Sequence, residues 1–363
     1  MKILMIGAKR YPDSREGGID IVVQKLSEEL VKLGHQVTVL VRTKKGFNPP
    51  KEHNGVNIKK IFTINTKLTD ALIYSFFATK YAKKHDFDIV HFHAEGNTLF
   101  LKKLKKNNNK RIIVTIHGLD WKRGKFKGIG AKMLLKSEKV IVKYSDDIIT
   151  LCENDNLYFQ NKYGITTFLI PNGFEKKPYF WPNVIKSKYN LNYDSYILFL
   201  ARIVPEKGLH FLVDAYNRIL DPKPKLVVAG GSSHSKKYYE EIKKKIGNNR
   251  NIILTGFVEG DELYELLGNT FLYVLPSTIE GMPLSLIEAL SFDRICLCSD
   301  IDELKNINSK NIVYFKNQSV DDLQNKLTSI IKNKPHFNHE SLFLEWKEVA
   351  NKTINVYKGK EEK

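Results

Sequence analysis

The chain has 363 residues, 42% of them hydrophobic and 27% charged, which is an ordinary globular composition and longer than a single core usually supports. No stretch approaches the ~20 apolar residues that span a bilayer, and Cys152, Cys296 and Cys298 lack the spacing of a zinc site or a disulfide framework. The formal net charge of +18 is uneven, with 31 Lys+Arg against 17 Asp+Glu up to Glu175 and 27 against 23 beyond it. A basic first half suits nucleic acid, an anionic membrane surface or a polyphosphate substrate.

The opening MKILMIGAKR has too short an apolar core for a signal peptide and reads as a first buried strand, which places the protein inside the cell. Ile19 to Leu33 is an amphipathic helix ended by Gly34, and Gln36 to Arg42 a second strand. Strands follow at Asn57–Ile61, Asp88–Phe92, Arg111–Ile116, Asp147–Thr150 and Thr167–Ile170. Helices fall at Asp70–Lys84, near Thr98–Lys106, at Gly128–Tyr144 and at Glu153–Lys162. Such alternation predicts right-handed βαβ units and a parallel sheet.

IPNGFEKKPYFWPNV breaks both periodicities and marks a linker near residues 171–185. The alternation then restarts. Strands are predicted at Tyr196–Ala201, Lys225–Ala229, Asn251–Leu254, 271–276, Arg294–Cys298 and Ile312–Phe315. Helices are predicted at Leu209–Leu220, Lys237–Ile246, Asp261–Gly268, after Pro283, at Asp321–Ile330 and at Ser341–Tyr357. Cys296 and Cys298 share one face of their strand, which is core packing and a reducing, cytoplasmic setting. The architecture read from this order is two doubly wound Rossmann-like α/β domains facing across a cleft. The first is residues 1–172 with a helix at about 341–363, and the second is 173–340.

No GxGxxG follows the first strand and no GxxxxGK[ST] occurs, which argues against dehydrogenase and P-loop chemistry. PSTIEGMPLSLIEAL instead places Glu280 in the turn after a buried strand and Glu288 eight residues later on a helix. A phosphate on the amides near Met282 to Ser285, flanked by two hydroxyl-binding carboxylates, fits that turn. So does a capped helix with two solvated glutamates. ILFLARIVPEKGL delivers Arg202 at a strand end and Lys207 at the next helix start; two fixed cations suit a diphosphate, and the plainer alternative is a surface ion pair with Glu206. Gly17 and Gly18 precede a helix whose amides could face an anion or a sugar. VTIHGLDWKRGKFKG puts His117 just past a strand end, followed by Gly118, Asp120 and Trp121.

Together, ARIVPEKGLHFLVDAY, IEGMPLSLIEAL and IPNG resemble the retaining glycosyltransferases of family 4, with the GT-B fold. HGLDWKRGKF and GAKRYPDSREGGID look like a bacterial rhamnosyltransferase-like branch of surface polysaccharide assembly. The resemblance implies that Glu288 holds the donor ribose and that Glu280 contacts donor-sugar hydroxyls. It puts Gly281, Met282, Pro283, Leu284 and Ser285 near the β-phosphate. Arg202 and Lys207 would bind the diphosphate, Gly17 and Gly18 would lie at the donor phosphates or the acceptor, and His117 would contact the transferred sugar. Gly256 to Val258 would line the base pocket, and the C-terminal helix would cross back to the first domain. It implies no metal and no cofactor beyond a UDP-, dTDP- or GDP-sugar donor, and a glycan or lipid-linked saccharide acceptor. The chain departs from the family pattern at SFDRICLCSD and at Pro283, both beside the donor sugar. The lysines of Lys102 to Arg111 and Lys122 to Lys136 would then meet an anionic membrane at the inner face of the cell membrane. A soluble acceptor is the alternative within enzymes. A basic nucleic-acid-binding protein is the alternative outside them, though the chain has no RNP aromatics, zinc knuckle or helix-turn-helix signature.

Overall fold

A computed structural model of the chain describes residues 1–12, 17–43, 46–64, 66, 69–106, 109–119, 121, 128–175, 177–231, 235–335 and 343–360. The chain divides into two units, Met1–Gly173 with Leu344–Lys363, and Phe174–Phe343.

The first unit carries β1 (Lys2–Ile6), β2 (Gln36–Arg42), β3 (Glu52–His53), β4 (Val56–Ile61), β5 (Ile89–His93), β6 (Arg111–Ile116), β7 (Asp147–Thr150) and β8 (Phe168–Leu169). They form one sheet in the order β3-β4-β2-β1-β5-β6-β7-β8. Every pairing is parallel except the short β3–β4 hairpin. The strands are runs of Val, Ile and Leu because parallel strands are covered on both faces. The connecting helices are α1 (Gly18–Lys32), α2 (Thr69–Lys84), α3 (Leu101–Lys105), α4 (Ile129–Tyr144) and α5 (Glu153–Tyr163). Helix α1 buries Val22, Val23, Leu26 and Leu30, a 3.6-period stripe, and stops at Gly34, whose φ of +85° suits glycine. Val90, Phe92, Val114 and Ile116 pack with Tyr74, Leu101, Ile141 and Phe159 in the apolar core.

The second unit holds β9 (Tyr196–Leu200), β10 (Lys225–Ala229), β11 (Ile252–Gly256), β12 (Leu272–Leu275), β13 (Ile295–Ser299) and β14 (Ile312–Phe315), wholly parallel, in the order β11-β10-β9-β12-β13-β14. Helices α6 (Val184–Tyr189), α7 (Leu209–Asn217), α8 (Lys236–Ile246), α9 (Gly260–Asn269), α10 (Leu284–Ser291), α11 (Asp302–Lys305) and α12 (Val320–Asn333) follow in order. One core cluster puts Ile197, Phe199, Val228 and Val274 under α7, α8 and α12. On the opposite face, Tyr273, Cys296 and Cys298 pack with α9 and α10. The two cysteines are core side chains, free and fully buried. The last helix, α13 (Trp346–Lys358), belongs to the first unit and buries Trp346, Val349, Ala350, Ile354 and Tyr357.

Three local expectations need correction, and two short elements were not foreseen. The 171–185 stretch already contains the start of α6, where Ile185 is fully buried and its N–H donates to Glu265 at 3.0 Å. Helix α3 is only five residues long. The C-terminal helix starts at Trp346, fixed by a reciprocal capping box between Glu345 and Glu348; Ser341 lies outside the described residues. The two-residue β3 and the four-residue α11 are too short to carry a periodic signal.

Candidate functional site

In a doubly wound sheet, connections leave opposite faces from two neighbouring strands, and the gap at their carboxyl ends is where ligands bind. In the second unit those strands are β9 and β12. A short 3-10 turn, Pro205–Lys207, follows β9 and ends at Gly208, φ +68°. A Cβ at Gly208 would lie 1.8 Å from the carbonyl oxygen of Pro276, so only glycine lets the turn after β9 press on the end of β12. The Thr278 N–H closes the contact by donating to the Glu206 carbonyl at 2.9 Å. This brings the Lys207 ammonium to 2.5 Å from the Glu280 carboxylate, with 15% and 7% of the two side chains exposed. The partner of Lys207 is therefore Glu280, across the switch point, and not Glu206 beside it.

Glu280 is followed by buried Gly281 and Pro283, half-buried Met282, and then α10. The helix has no side-chain cap, and the N–H groups of Leu284 and Ser285, in its first turn, have no carbonyl four residues back within the helix. The Ser285 hydroxyl accepts from the buried Tyr273 phenol at 2.8 Å, and burial raises the Tyr273 pKa well above the usual phenol range. Glu288 sits half-buried further along α10. Arg202 follows β9, and among the described residues its half-exposed guanidinium makes no ion pair. The ends of β9, β10 and β11 are stitched together: Ala201 N–H donates to the Ala229 carbonyl at 3.1 Å, and Gly230 N–H to the Gly256 carbonyl at 2.7 Å. Gly256 has φ +77°, and Val258 beyond it is buried. A cation–carboxylate pair, a guanidinium with no ion pair among the described residues and an uncapped helix start thus share one unit, an arrangement with the chemistry to accept a phosphate-bearing group.

In the first unit the switch point lies between β1 and β5. Gly17 has φ +143° and, with no side chain to offer as a cap, opens α1 at half-exposed backbone; exposed Gly18 is the first helical residue. Buried Asp20 accepts from the Lys9 and Arg10 N–H groups at 2.6 and 3.2 Å, which ties the loop after β1 to α1. His117 lies one residue past β6, buried, with its Nε2 3.0 Å from Nδ1 of His93. Asp120 lies outside the described residues, as does residue 122–127 of the basic segment. Trp121 donates to Glu138 at 3.1 Å; this fully buried carboxylate on α4 also accepts from Tyr158 at 2.9 Å, Lys162 at 2.7 Å and Tyr163. Among the described residues no group of three or more His, Cys, Asp or Glu side chains is placed to hold a metal ion.

His93 and His91 were not singled out from sequence, although the alternation in IVHFH puts both on one face of β5. His91 reaches Tyr357 of α13 through Nδ1 and Thr115 through Nε2, each at 2.7 Å. Burial lowers the pKa of His91 to about 3 and takes that of His93 well below its ordinary value. The unfolded chain therefore binds protons that the folded one refuses. Stability should be full above pH 6.5 and fall as the pH drops below it, by about 1.4 kcal/mol per pH unit for each such histidine. Urea titrations between pH 7 and 5 check this; a flat midpoint contradicts neutral, buried histidines.

Two Rossmann-like α/β units are the architecture of the GT-B fold, and solved structures share it. Sucrose-phosphate synthase of Thermosynechococcus elongatus superposes at TM-score 0.83 with 20% identity, covering 99% of this chain and 98% of that one. HepE of Anabaena, solved with UDP-glucose, superposes at 0.75 with 15% identity, covering 99% and 95%. The family model "Glycosyltransferase Family 4" matches residues 16–177, and "Glycosyl transferases group 1" matches 183–342. Each model matches less than half of the chain, and the two together make it similar to the family 4-like glycosyltransferases. Among curated relatives, a Methanocaldococcus jannaschii protein described as an uncharacterized glycosyltransferase is 25% identical over 99% of this chain and 98% of its own. The O-antigen chain mannosyltransferase C of Escherichia coli is 24% identical over 83% and 80%.

Proposed function

We propose that the chain transfers a hexose or deoxyhexose from a nucleotide-diphosphate-sugar to a hydroxyl of a glycan or lipid-linked saccharide, with retention at the anomeric carbon and without a metal. The observation that carries this reading is the Lys207–Glu280 pair at the β9–β12 switch point, beside the uncapped start of α10. Lys207 and Arg202 take the place of a divalent cation, neutralising the diphosphate as it departs. Glu288 accepts the ribose hydroxyls and Glu280 those of the donor sugar, with the amides from Gly281 to Ser285 at the β-phosphate. Gly256 to Val258 line the base pocket, Gly17 and Gly18 approach the phosphates or acceptor, and His117 contacts the transferred sugar. The acceptor hydroxyl attacks on the leaving-group side, so no protein nucleophile is needed and no organic cofactor is involved. The test is a thermal-shift panel of UDP-, dTDP- and GDP-sugars. One base should stabilise the protein by about 2.7 kcal/mol at a hundred times its dissociation constant. No shift with any of them contradicts the reading.

The place in cell-surface polysaccharide assembly, in the rhamnosyltransferase-like manner or otherwise, draws support from the E. coli O-antigen relative and from the first unit's surface. No helix among the described residues is long and apolar enough to cross a membrane. Yet Phe62, Ile64 and Phe76 are 56%, 48% and 38% exposed. The Phe62 and Phe76 rings form a ladder with Phe77 and Phe100, Phe62 to Phe77 at 5.7 Å, Phe77 to Phe76 at 5.3 Å and Phe76 to Phe100 at 5.5 Å. Lys103 lies over the Phe76 and Phe100 rings at 5.2 and 5.4 Å. Exposed aromatics interleaved with lysines suit peripheral docking at the cytoplasmic face of an anionic bilayer, each lysine contributing on the order of 1 kcal/mol. Co-sedimentation with anionic vesicles should fall on adding salt and in Phe62→Ser/Phe76→Ser. Binding indifferent to lipid charge, salt and these residues contradicts it and favours a soluble acceptor.

A further inference from the structure

Helix α10 turns most of its surface inward. Leu284, Leu286, Ile287, Ala289 and Leu290 are buried, and Ser285, Glu288 and Ser291, each three residues on, form the half-buried stripe that remains. The carboxylate proposed for the ribose therefore has a hydroxyl one helical turn nearer the start of the helix. That hydroxyl does not cap α10. Its bond is to Tyr273 of β12, whose phenol donates to Ser285 Oγ at 2.8 Å and reaches the carbonyl of Leu200, the last residue of β9, only at 3.4 Å.

Tyr273 is fully buried, and burial keeps its phenol protonated. A protonated phenol in the core must find an acceptor for its one proton or leave a buried donor unpaired. The carbonyl at 3.4 Å is at the limit of a hydrogen bond, whereas the serine lies at the usual O–H···O distance, so the proton goes to Ser285. A serine hydroxyl that accepts still has its own proton for a second partner. Among the described residues no acceptor takes that proton. Packing alone would be met by phenylalanine; the hydroxyl of Tyr273 adds a direction to Ser285.

We propose that Tyr273 is a positioning residue that aims the Ser285 hydroxyl as a hydrogen-bond donor at an oxygen of the nucleotide's β-phosphate. The phosphate rests on the proposed function; the direction of the Tyr273–Ser285 bond does not. Ionised phosphate oxygens only accept, so a hydroxyl that presents its proton suits them, and the bond donated by the phenol polarises it further.

The test is isothermal titration of the nucleoside diphosphate and monophosphate of the base selected by the thermal-shift panel, on wild type, Ser285→Ala, Tyr273→Phe and the double variant. Ser285→Ala should cut the preference for diphosphate over monophosphate by about tenfold, and Tyr273→Phe by about threefold. The double variant should fall no further than Ser285→Ala, because Tyr273 acts only through the serine. An unchanged preference in both single variants overturns the proposal, and so does an additive loss in the double variant. Urea midpoints decide the bond itself. Ser285→Ala strips the acceptor from a buried phenol, so it should lower the midpoint in wild type and much less in the Tyr273→Phe background. Equal losses in the two backgrounds overturn the positioning role. A wild type that binds no nucleoside diphosphate contradicts the proposed function and takes the phosphate assignment with it, while the midpoints still decide the Tyr273–Ser285 bond.

Discussion

Lys207→Ala should lower kcat by about 100- to 1,000-fold, the usual cost of removing one preorganised group that stabilises departing charge. It should also destabilise the protein by about 3–5 kcal/mol, because it strips the partner from a carboxylate only 7% exposed. The two effects separate in a double variant. Lys207→Met with Glu280→Leu removes both charges and keeps the volume, so its stability should return to within about 1 kcal/mol of wild type while activity stays lost. Turnover assays and urea midpoints on the same preparations check this. An active double variant would show that the pair is a structural brace and nothing more.

Gly208→Ala should be among the most damaging single methyls in the described residues. The added carbon would sit 1.8 Å from the Pro276 carbonyl oxygen and 2.8 Å from its carbon, both backbone, at φ +68°. Either the turn after β9 or the end of β12 must move, so a loss of about 3 kcal/mol or more is expected, with transfer falling as Lys207 leaves Glu280. Gly164→Ala supplies the control. Its φ of +67° and ψ of 24° are equally left-handed, but among the described residues no atom lies within 4 Å of a new Cβ. It should cost only about 1–2 kcal/mol, the strain of the conformation alone. Equal losses at the two positions would mean that the close approach of β9 and β12 is not what Gly208 protects.

The two sheets were legible because a parallel strand is buried on both faces and reads as an unbroken apolar run. Arg111–Ile116, Lys225–Ala229 and Ile312–Phe315 fall where the sequence puts them. Short elements were not. Two residues of β3 or four of α11 hold no period, and α6 hides in a proline-rich stretch where one buried residue, Ile185, decides the matter. Charge was harder still. Composition says which residues are ionisable but not which are buried, so Asp20, Glu138 and His93 passed as unremarkable. For the same reason Lys207 could be given Glu206, its chain neighbour, as an ordinary partner. Only the β9–β12 register brings Glu280 to it from 73 residues away.

The central claim is that Arg202, Lys207, Glu280 and Glu288 form a nucleotide-diphosphate site. Isothermal titration with the diphosphate of the base chosen by the thermal-shift panel tests it most directly, on wild type, Arg202→Ala and Glu288→Ala. Both variants should bind about tenfold more weakly or worse, each having lost about 1.4 kcal/mol or more of contact with diphosphate or ribose. Wild-type affinity in both variants would contradict the claim.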